Sequence, residues 1–394
     1  MPNGQLLRLS TTTTARRIGL LSTYPPKLCG LATFAAALER ELERAGNRVD
    51  VVRIDDGHDV PGIPRPVAGE FVNGVPASVR DAAAVLSRCD VAIIQHEYGI
   101  YGGVDGDEVI DLLTLLEVPT IVILHTVLLE PSPHQRAVLE EIGELADRVV
   151  VMTEAARDRL IALYAIDESK VVTIPHGASL PALDRWKEVD ERAGDRPQLL
   201  TWGLLGPGKG IEHTIDALAL LGNAGRRPRY TVAGVTHPKV FARHGDQYRN
   251  SLIQRSWAIG VAGSVTFDDT YRDVAQLTRF IASASVVVLP YDSRDQVTSG
   301  VLVDAIAAGR PVIATAFPHA VELLSSGAGI VVPHADPVAM ADAIRSIVAS
   351  DGEMLASMSA EARRLAPSLS WSVVAEQYAR LSAEIVRASE AVAF

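Results

Sequence analysis

Residues Ser285 to Thr315 read SVVVLPYDSRDQVTSGVLVDAIAAGRPVIAT. Val286-Val287-Val288-Leu289, bounded by Pro290, predicts a strand buried on both faces. A polar loop follows, then a helix that starts near Thr298 or Ser299, where a hydroxyl can cap free N–H groups. Gly309 stops that helix, and Pro311 to Ala314 is a second strand. A first turn of Ser299-Gly300-Val301 points several unpaired N–H groups and the positive end of the helix dipole at one place, which suits phosphate. Asp304 shares the face of Gly300 and leans back toward it, so its carboxylate can accept hydrogen bonds from ribose hydroxyls. An ordinary βαβ crossover with a solvated Asp304 is the alternative reading of the same residues.

Outward from that stretch the same grammar repeats. Ahead of it lie strands at Leu199 to Trp202, Tyr230 to Ala233 and Val265 to Phe267; after it comes Ile330 to Val332, then a helical C-terminal part from about Pro337 to Ala388. The first half opens with a strand at Ile18 to Leu21, a loop from Ser22 to Leu31 containing Gly30, a helix from Thr33 to Ala45 and a strand at Val49 to Ile54. Further strands are expected at Val91 to Ile94, Thr120 to Leu124, Val149 to Met152 and Val171 to Ile174. Strand, loop, helix, strand is the opening of a doubly wound parallel sheet, whose ligands sit beyond the carboxyl ends of the strands.

The fold class is therefore α/β, with two doubly wound, Rossmann-like domains facing across a cleft. The expected limits are 1–178 for an N-terminal domain and 179–197 for a charged, Pro-punctuated linker. A C-terminal domain is expected over 198–370, and a last helix, 371–394, packing back toward the first domain. At 394 residues, 48% hydrophobic and 22% charged, the chain is long enough for two cores. Its formal net charge of -11 argues against nucleic acid and against anionic lipid as partners. Cys29 and Cys89 are read as reduced, buried thiols, and neither an export signal nor a membrane span is visible, so a cytoplasmic enzyme is expected.

Gly203 to Lys209, GLLGPGK, matches the G-x-x-x-x-G-K loop of nucleotide hydrolases. Gly210 then stands where a hydroxyl should hold magnesium, so a hydrolase is rejected, while Lys209 stays a candidate for neutralising a diphosphate leaving group. Three strands end in polar clusters: Gln95-His96-Glu97-Tyr98, His125-Thr126 and Pro175-His176-Gly177. Each histidine is weighed between a ligand contact and a satisfied structural role. The cysteines and histidines form no H-E-x-x-H and no paired C-x-x-C, so no tightly held metal is expected.

The stretches CGLATFAAALERELERAGNRVDVV, HEYGIYGG, ILHT, ADRVVVMTEAARDRL, IPHG, GLLGPGKGIEHTIDAL and TSGVLVDAIAAGRPVIAT together resemble the retaining glycosyltransferases of family 4, which have the GT-B fold. The resemblance implies transfer of a hexose from a nucleotide diphosphate sugar to a hydroxyl acceptor, without a metal and with domain closure. By that resemblance His125 touches the donor sugar and Lys209 the diphosphate. Donor binding is implied for Gly30, Leu31, Gly203, Gly208, Gln296, Thr298, Ser299, Gly300 and Asp304, and His96, Glu97 and Tyr98 are acceptor-side candidates. HEYGIYGG with LLEPSPHQR is similar to a bacterial mannosyltransferase subgroup, which suggests GDP-mannose; no other cofactor is implied. A homo-oligomer is compatible with this reading.

Two departures stand out. The family carries an arginine where this chain has Leu204, and Glu-x7-Glu where it has Gln296 and Asp304. Losing an arginine contact to a leaving phosphate costs about 2 to 4 kcal/mol of transition-state stabilisation, so a substitute is expected, with Arg294 and Lys27 as candidates. Trp202 or Tyr291 is read either as a base-stacking ring or as core. The rival functions are a nucleotide-sugar epimerase of the same fold, a sugar-binding protein without chemistry, and an inactive transferase homologue.

Overall fold

The structure is a computed structural model that describes residues 15–27, 29–55, 57, 66–181, 196–222, 227–270, 272–350 and 352–392. Most of the expected linker, residues 182–195, lies outside these. Two parallel sheets carry the fold, as the alternation of strand and helix patterns predicts.

The first half runs β1 (Arg17–Ser22), α1 (Gly30–Arg44), β2 (Arg48–Asp55), β3 (Gly69–Val72), α2 (Pro76–Leu86), β4 (Val91–His96), α3 (Glu108–Leu115), β5 (Thr120–Leu124), α4 (Pro133–Leu145), β6 (Arg148–Val151), α5 (Glu154–Leu163) and β7 (Val171–Thr173). Its sheet has the order β3-β2-β1-β4-β5-β6-β7. The second half runs β8 (Gln198–Trp202), α6 (Ile211–Leu220), β9 (Arg229–Ala233), α7 (Pro238–His244), α8 (Gln247–Ala258), β10 (Val265–Asp268), α9 (Val274–Ala282), β11 (Val286–Leu289), α10 (Gly300–Ala307), β12 (Val312–Thr315), α11 (Pro318–Leu324), β13 (Gly329–Val332), α12 (Pro337–Ala349), α13 (Glu353–Leu365) and α14 (Trp371–Val392). Its sheet has the order β10-β9-β8-β11-β12-β13.

Both orders reverse direction once, between β1 and β4 and between β8 and β11, and loops at such a reversal diverge to leave a crevice. β11 shows why its sequence reads as a central strand. Val287 and Leu289 pack on one face with Leu200, Trp202 and the α10 residues Leu302 and Ile306. Val286 and Val288 pack on the other with Tyr230, Val232 and the α6 residues Ile211 and Ile215. Each fully buried side chain of this kind contributes roughly 1.5 to 3 kcal/mol.

The chain divides into two compact units, Met1–Ile123 with Pro133–Val150 and Ala375–Phe394, and Leu124–Ser132 with Val151–Val374. Within the first, α14 supplies a buried row at helical spacing, Tyr378, Leu381, Ser382 and Ile385.

Three local expectations change. Gly30 and Leu31 are not in a loop: they open α1, because the Cys29 thiol accepts the Ala32 N–H at 3.4 Å and so caps the helix three residues early. Both cysteines are free, but only Cys89 is buried; Cys29 is half-buried at that cap. His96 is not past its strand but is the last residue of β4, with none of its surface exposed.

Candidate active site

The loop after β8 is built around two glycines. Gly208 adopts φ +87° and Gly210 φ +60°, left-handed values that favour glycine. A Cβ on Gly210 would lie 1.8 Å from the Pro290 carbonyl oxygen, because this loop presses on the chain leaving β11. The Asp292 N–H donates to the Gly208 carbonyl at 3.0 Å and fastens the two loops. Gly210 therefore has a packing reason to lack the hydroxyl that a hydrolase loop would need.

Between those anchors Lys209 is half-buried, with its Nζ 4.5 Å from the centre of the Tyr291 ring. Burial lowers its pKa from the usual lysine value. Among the described residues it makes no ion pair. Tyr291 itself is buried, stacked on Phe317 with centroids 5.5 Å apart, and Trp202 is buried as well; both aromatic rings belong to the core.

The chain leaving β11 then reaches α10. Ser299 caps it, its Oγ accepting from the Leu302 N–H at 3.3 Å, and the Ser299 N–H donates to His319 Nδ1 at 2.8 Å. His319 is held neutral, its pKa lowered to about 3 by burial and by neighbouring His176. The Gln296 side chain donates to the Thr298 carbonyl at 3.1 Å, and Thr298 Oγ1 is buried without a partner among the described residues. Asp304 is half-buried, and desolvation raises its pKa from 3.8 to about 7.

His176 is a residue whose place the sequence did not specify. Its Nδ1 lies 2.7 Å from the Gly177 carbonyl oxygen and so carries the proton, which makes Nε2 an acceptor. A Cβ on Gly300 would lie 2.9 Å from that Nε2. Close approach of the imidazole to the helix N-terminus thus requires glycine at 300, whatever else binds there. Burial lowers the His176 pKa to about 4, so the ring is neutral at physiological pH.

His125 and Thr126 follow directly on β5, half-buried, as expected. Gly203, Gly208, Lys209, Gln296, Thr298, Ser299, Gly300 and Asp304 all lie in or after β8 and β11, the two strands at the sheet's reversal. Arg294, one candidate for replacing the missing arginine at Leu204, is exposed.

On the acceptor side, Glu97 and Tyr98 are half-buried, with the Tyr98 hydroxyl 3.3 Å from the Gln135 carbonyl oxygen. His96 is packed between Tyr98 and Tyr101; neither ring nitrogen has a partner among the described residues, and burial lowers its pKa to about 4. Its burial leaves it no surface for an acceptor to touch.

Among the described residues Glu212, His213 and Asp292 offer ligand atoms within 4.8 Å of one another. His213 Nε2 already pairs with Asp292 at 3.1 Å, and Glu212 accepts from the Tyr248 hydroxyl at 2.8 Å. No helix among the described residues is long and apolar enough to cross a membrane.

Residues 29–180 match the family described as Glycosyltransferase Family 4, and residues 196–350 match Glycosyl transferases group 1. The chain is 30% identical over 275 residues to a D-inositol 3-phosphate glycosyltransferase of a Nocardioides species, covering 65% of this chain and 58% of that one. It is 28% identical over 384 residues to the D-inositol 3-phosphate glycosyltransferase of Jonesia denitrificans, covering 86% of each. Its fold is similar to that of Anabaena HepE in complex with UDP, with a TM-score of 0.71 at 18% identity over 93% of this chain and 99% of that one. HepE in complex with UDP-glucose gives 0.69. Two family matches that between them take in every strand of both sheets but β1 leave one conclusion: the chain belongs to the glycosyltransferases of group 1 and family 4 and has the GT-B fold.

Proposed function

We propose that the protein is a retaining glycosyltransferase that moves a hexose from a nucleoside diphosphate sugar to a hydroxyl of its acceptor. One observation carries this reading: Lys209, without an ion-pair partner among the described residues, is fixed against the loop that leads from β11 into the N-terminus of α10. A diphosphate there would lie between an ammonium and the N–H groups of Gly300 and Val301 at the start of α10. Asp304, one turn along α10, takes the ribose hydroxyls, and His125 meets the sugar.

The leaving phosphate needs charge neutralisation more than it needs a protein nucleophile. Front-face attack, with the departing phosphate taking the acceptor proton, keeps the anomeric configuration and asks of the chain only positioning and electrostatics. Domain closure would exclude water, the competing acceptor.

The UDP and UDP-glucose of the HepE structures favour a uridine nucleotide over the GDP-mannose suggested by the sequence. The relatives' names favour a cyclitol phosphate acceptor. A second reading, a donor-binding homologue with little transfer, draws on Leu204 and on Gln296 being bonded to its own loop.

The deciding experiment is Lys209→Ala, measured beside the melting temperature with UDP, GDP and ADP sugars, since a ligand that binds only the folded state raises it. Turnover is expected to fall about 100- to 1000-fold with an unchanged melting temperature in the absence of ligand. Near-normal turnover refutes the role of Lys209, and a wild type stabilised by a nucleotide but without transfer supports the second reading.

A further inference from the structure

Two loops without regular structure carry residues placed at the donor: the one after β5, with His125, and the one after β11, with Gln296 and Thr298. Neither has a strand or helix ladder to hold its backbone. Both are bonded to α5 and its caps, whose side chains take four of their carbonyls in succession. Thr153, which caps α5, donates its hydroxyl to the Val297 carbonyl at 2.9 Å. Two turns on, a single nitrogen of Arg159 donates to the Asp295 carbonyl at 2.7 Å and to the Val127 carbonyl at 2.8 Å. At the end of the helix the Tyr164 hydroxyl donates to the Leu128 carbonyl at 2.9 Å.

We propose that Arg159 is a positioning residue for transfer, holding the loop of His125 and the loop of Gln296 at a fixed separation through its two carbonyl bonds. The inference rests on the donor reading given above and adds a group that does not itself touch the donor. Arginine suits the task because one terminal nitrogen carries two N–H groups that diverge in the guanidinium plane and can serve two acceptors while the charge is kept. Burial works against that charge and lowers its pKa from the usual arginine value, so the position is one where a cation is kept at a cost. Lysine would keep the charge and lose the planar pair of N–H groups. Alanine would remove the one side chain that ties the two loops to each other. Since the bonds are to backbone, what is lost is geometry, and a misplacement of about 1 Å between reacting groups is enough to slow a reaction about 100-fold.

The test uses the full-length protein as wild type, Arg159→Ala, Arg159→Lys and Tyr164→Phe. Two quantities are measured: binding of UDP by calorimetry, and nucleotide release from UDP-glucose, UDP-N-acetylglucosamine and GDP-mannose with and without D-inositol 3-phosphate as acceptor. Turnover is divided by the number of nucleotide-binding sites, so a fall in folded protein alone does not register. For Arg159→Ala, release per site is expected to drop about 100-fold with the UDP dissociation constant within about threefold of wild type. Arg159→Lys should recover part of the loss, and Tyr164→Phe, which frees only Leu128, should lose about tenfold or less. If Arg159→Ala does not fold, Arg159→Lys at about one tenth of wild-type release per site supports the role, and release equal to wild type overturns it. Release per site unchanged in Arg159→Ala, or lost only in step with UDP binding, also overturns it. A wild type that releases nucleotide from none of the three sugars fails earlier: the donor reading falls, and the role of Arg159 falls with it.

Discussion

Asp304 is the clearest case of a single side chain whose environment sets its chemistry. Desolvation holds its folded pKa near 7, against 3.8 for an ordinary aspartate. Its sign in stability follows from linkage: between those two values the folded state binds the proton that the unfolded state has already released, so stability falls as pH rises through that window. Asp304→Asn is therefore expected to melt higher than wild type, with the gain larger at pH 8 than at pH 5. The same change should weaken donor binding about tenfold at pH 8, because a carboxylate that accepts two ribose hydrogen bonds is lost. Calorimetric melts and nucleotide titrations at the two pH values check both. At this scale the Ser299 cap was legible because helix-start chemistry is local. His176 beside Gly300 was not, since the contact joins positions far apart in the chain, and His96 was misplaced because polar residues at a strand's end still belong to the strand when its neighbours bury them.

Within the element α10, Gly300 has no left-handed backbone, so alanine there carries no conformational strain, and the three atoms nearest its Cβ all belong to the His176 ring. Gly300→Ala is expected to cost about 1 to 3 kcal/mol, most of it returned when His176→Ala is added. Denaturant melts of the two single variants and the double variant measure that coupling. A cost that persists in the double variant would mean that something else needs the glycine. The sequence located β11 to the residue and α10 within one or two, because a four-residue β-branched run and a hydroxyl cap are strong local signals. It missed β3, whose GEFV alternates too briefly to register, and it began α1 late because a thiol is not among the usual caps.

For the whole molecule, the two parallel sheets were readable from the succession of strand and helix patterns. The charge near the proposed diphosphate comes from Lys209 and helix amides, so nucleotide release in excess EDTA should stay within about twofold of the untreated rate. A larger loss, restored by a divalent cation and abolished by His213→Ala, would assign Glu212, His213 and Asp292 a part in the reaction.

The pressure of Gly210 against Pro290 also bears on what this scaffold can become. One substitution would complete the phosphate-loop signature, yet any side chain at 210 collides with a main-chain oxygen of the neighbouring crossover. Ancestral drift from sugar transfer toward magnesium-dependent nucleotide hydrolysis is thereby barred at its first step. A designer wanting that activity would have to rebuild the exit of β11 before touching the glycine.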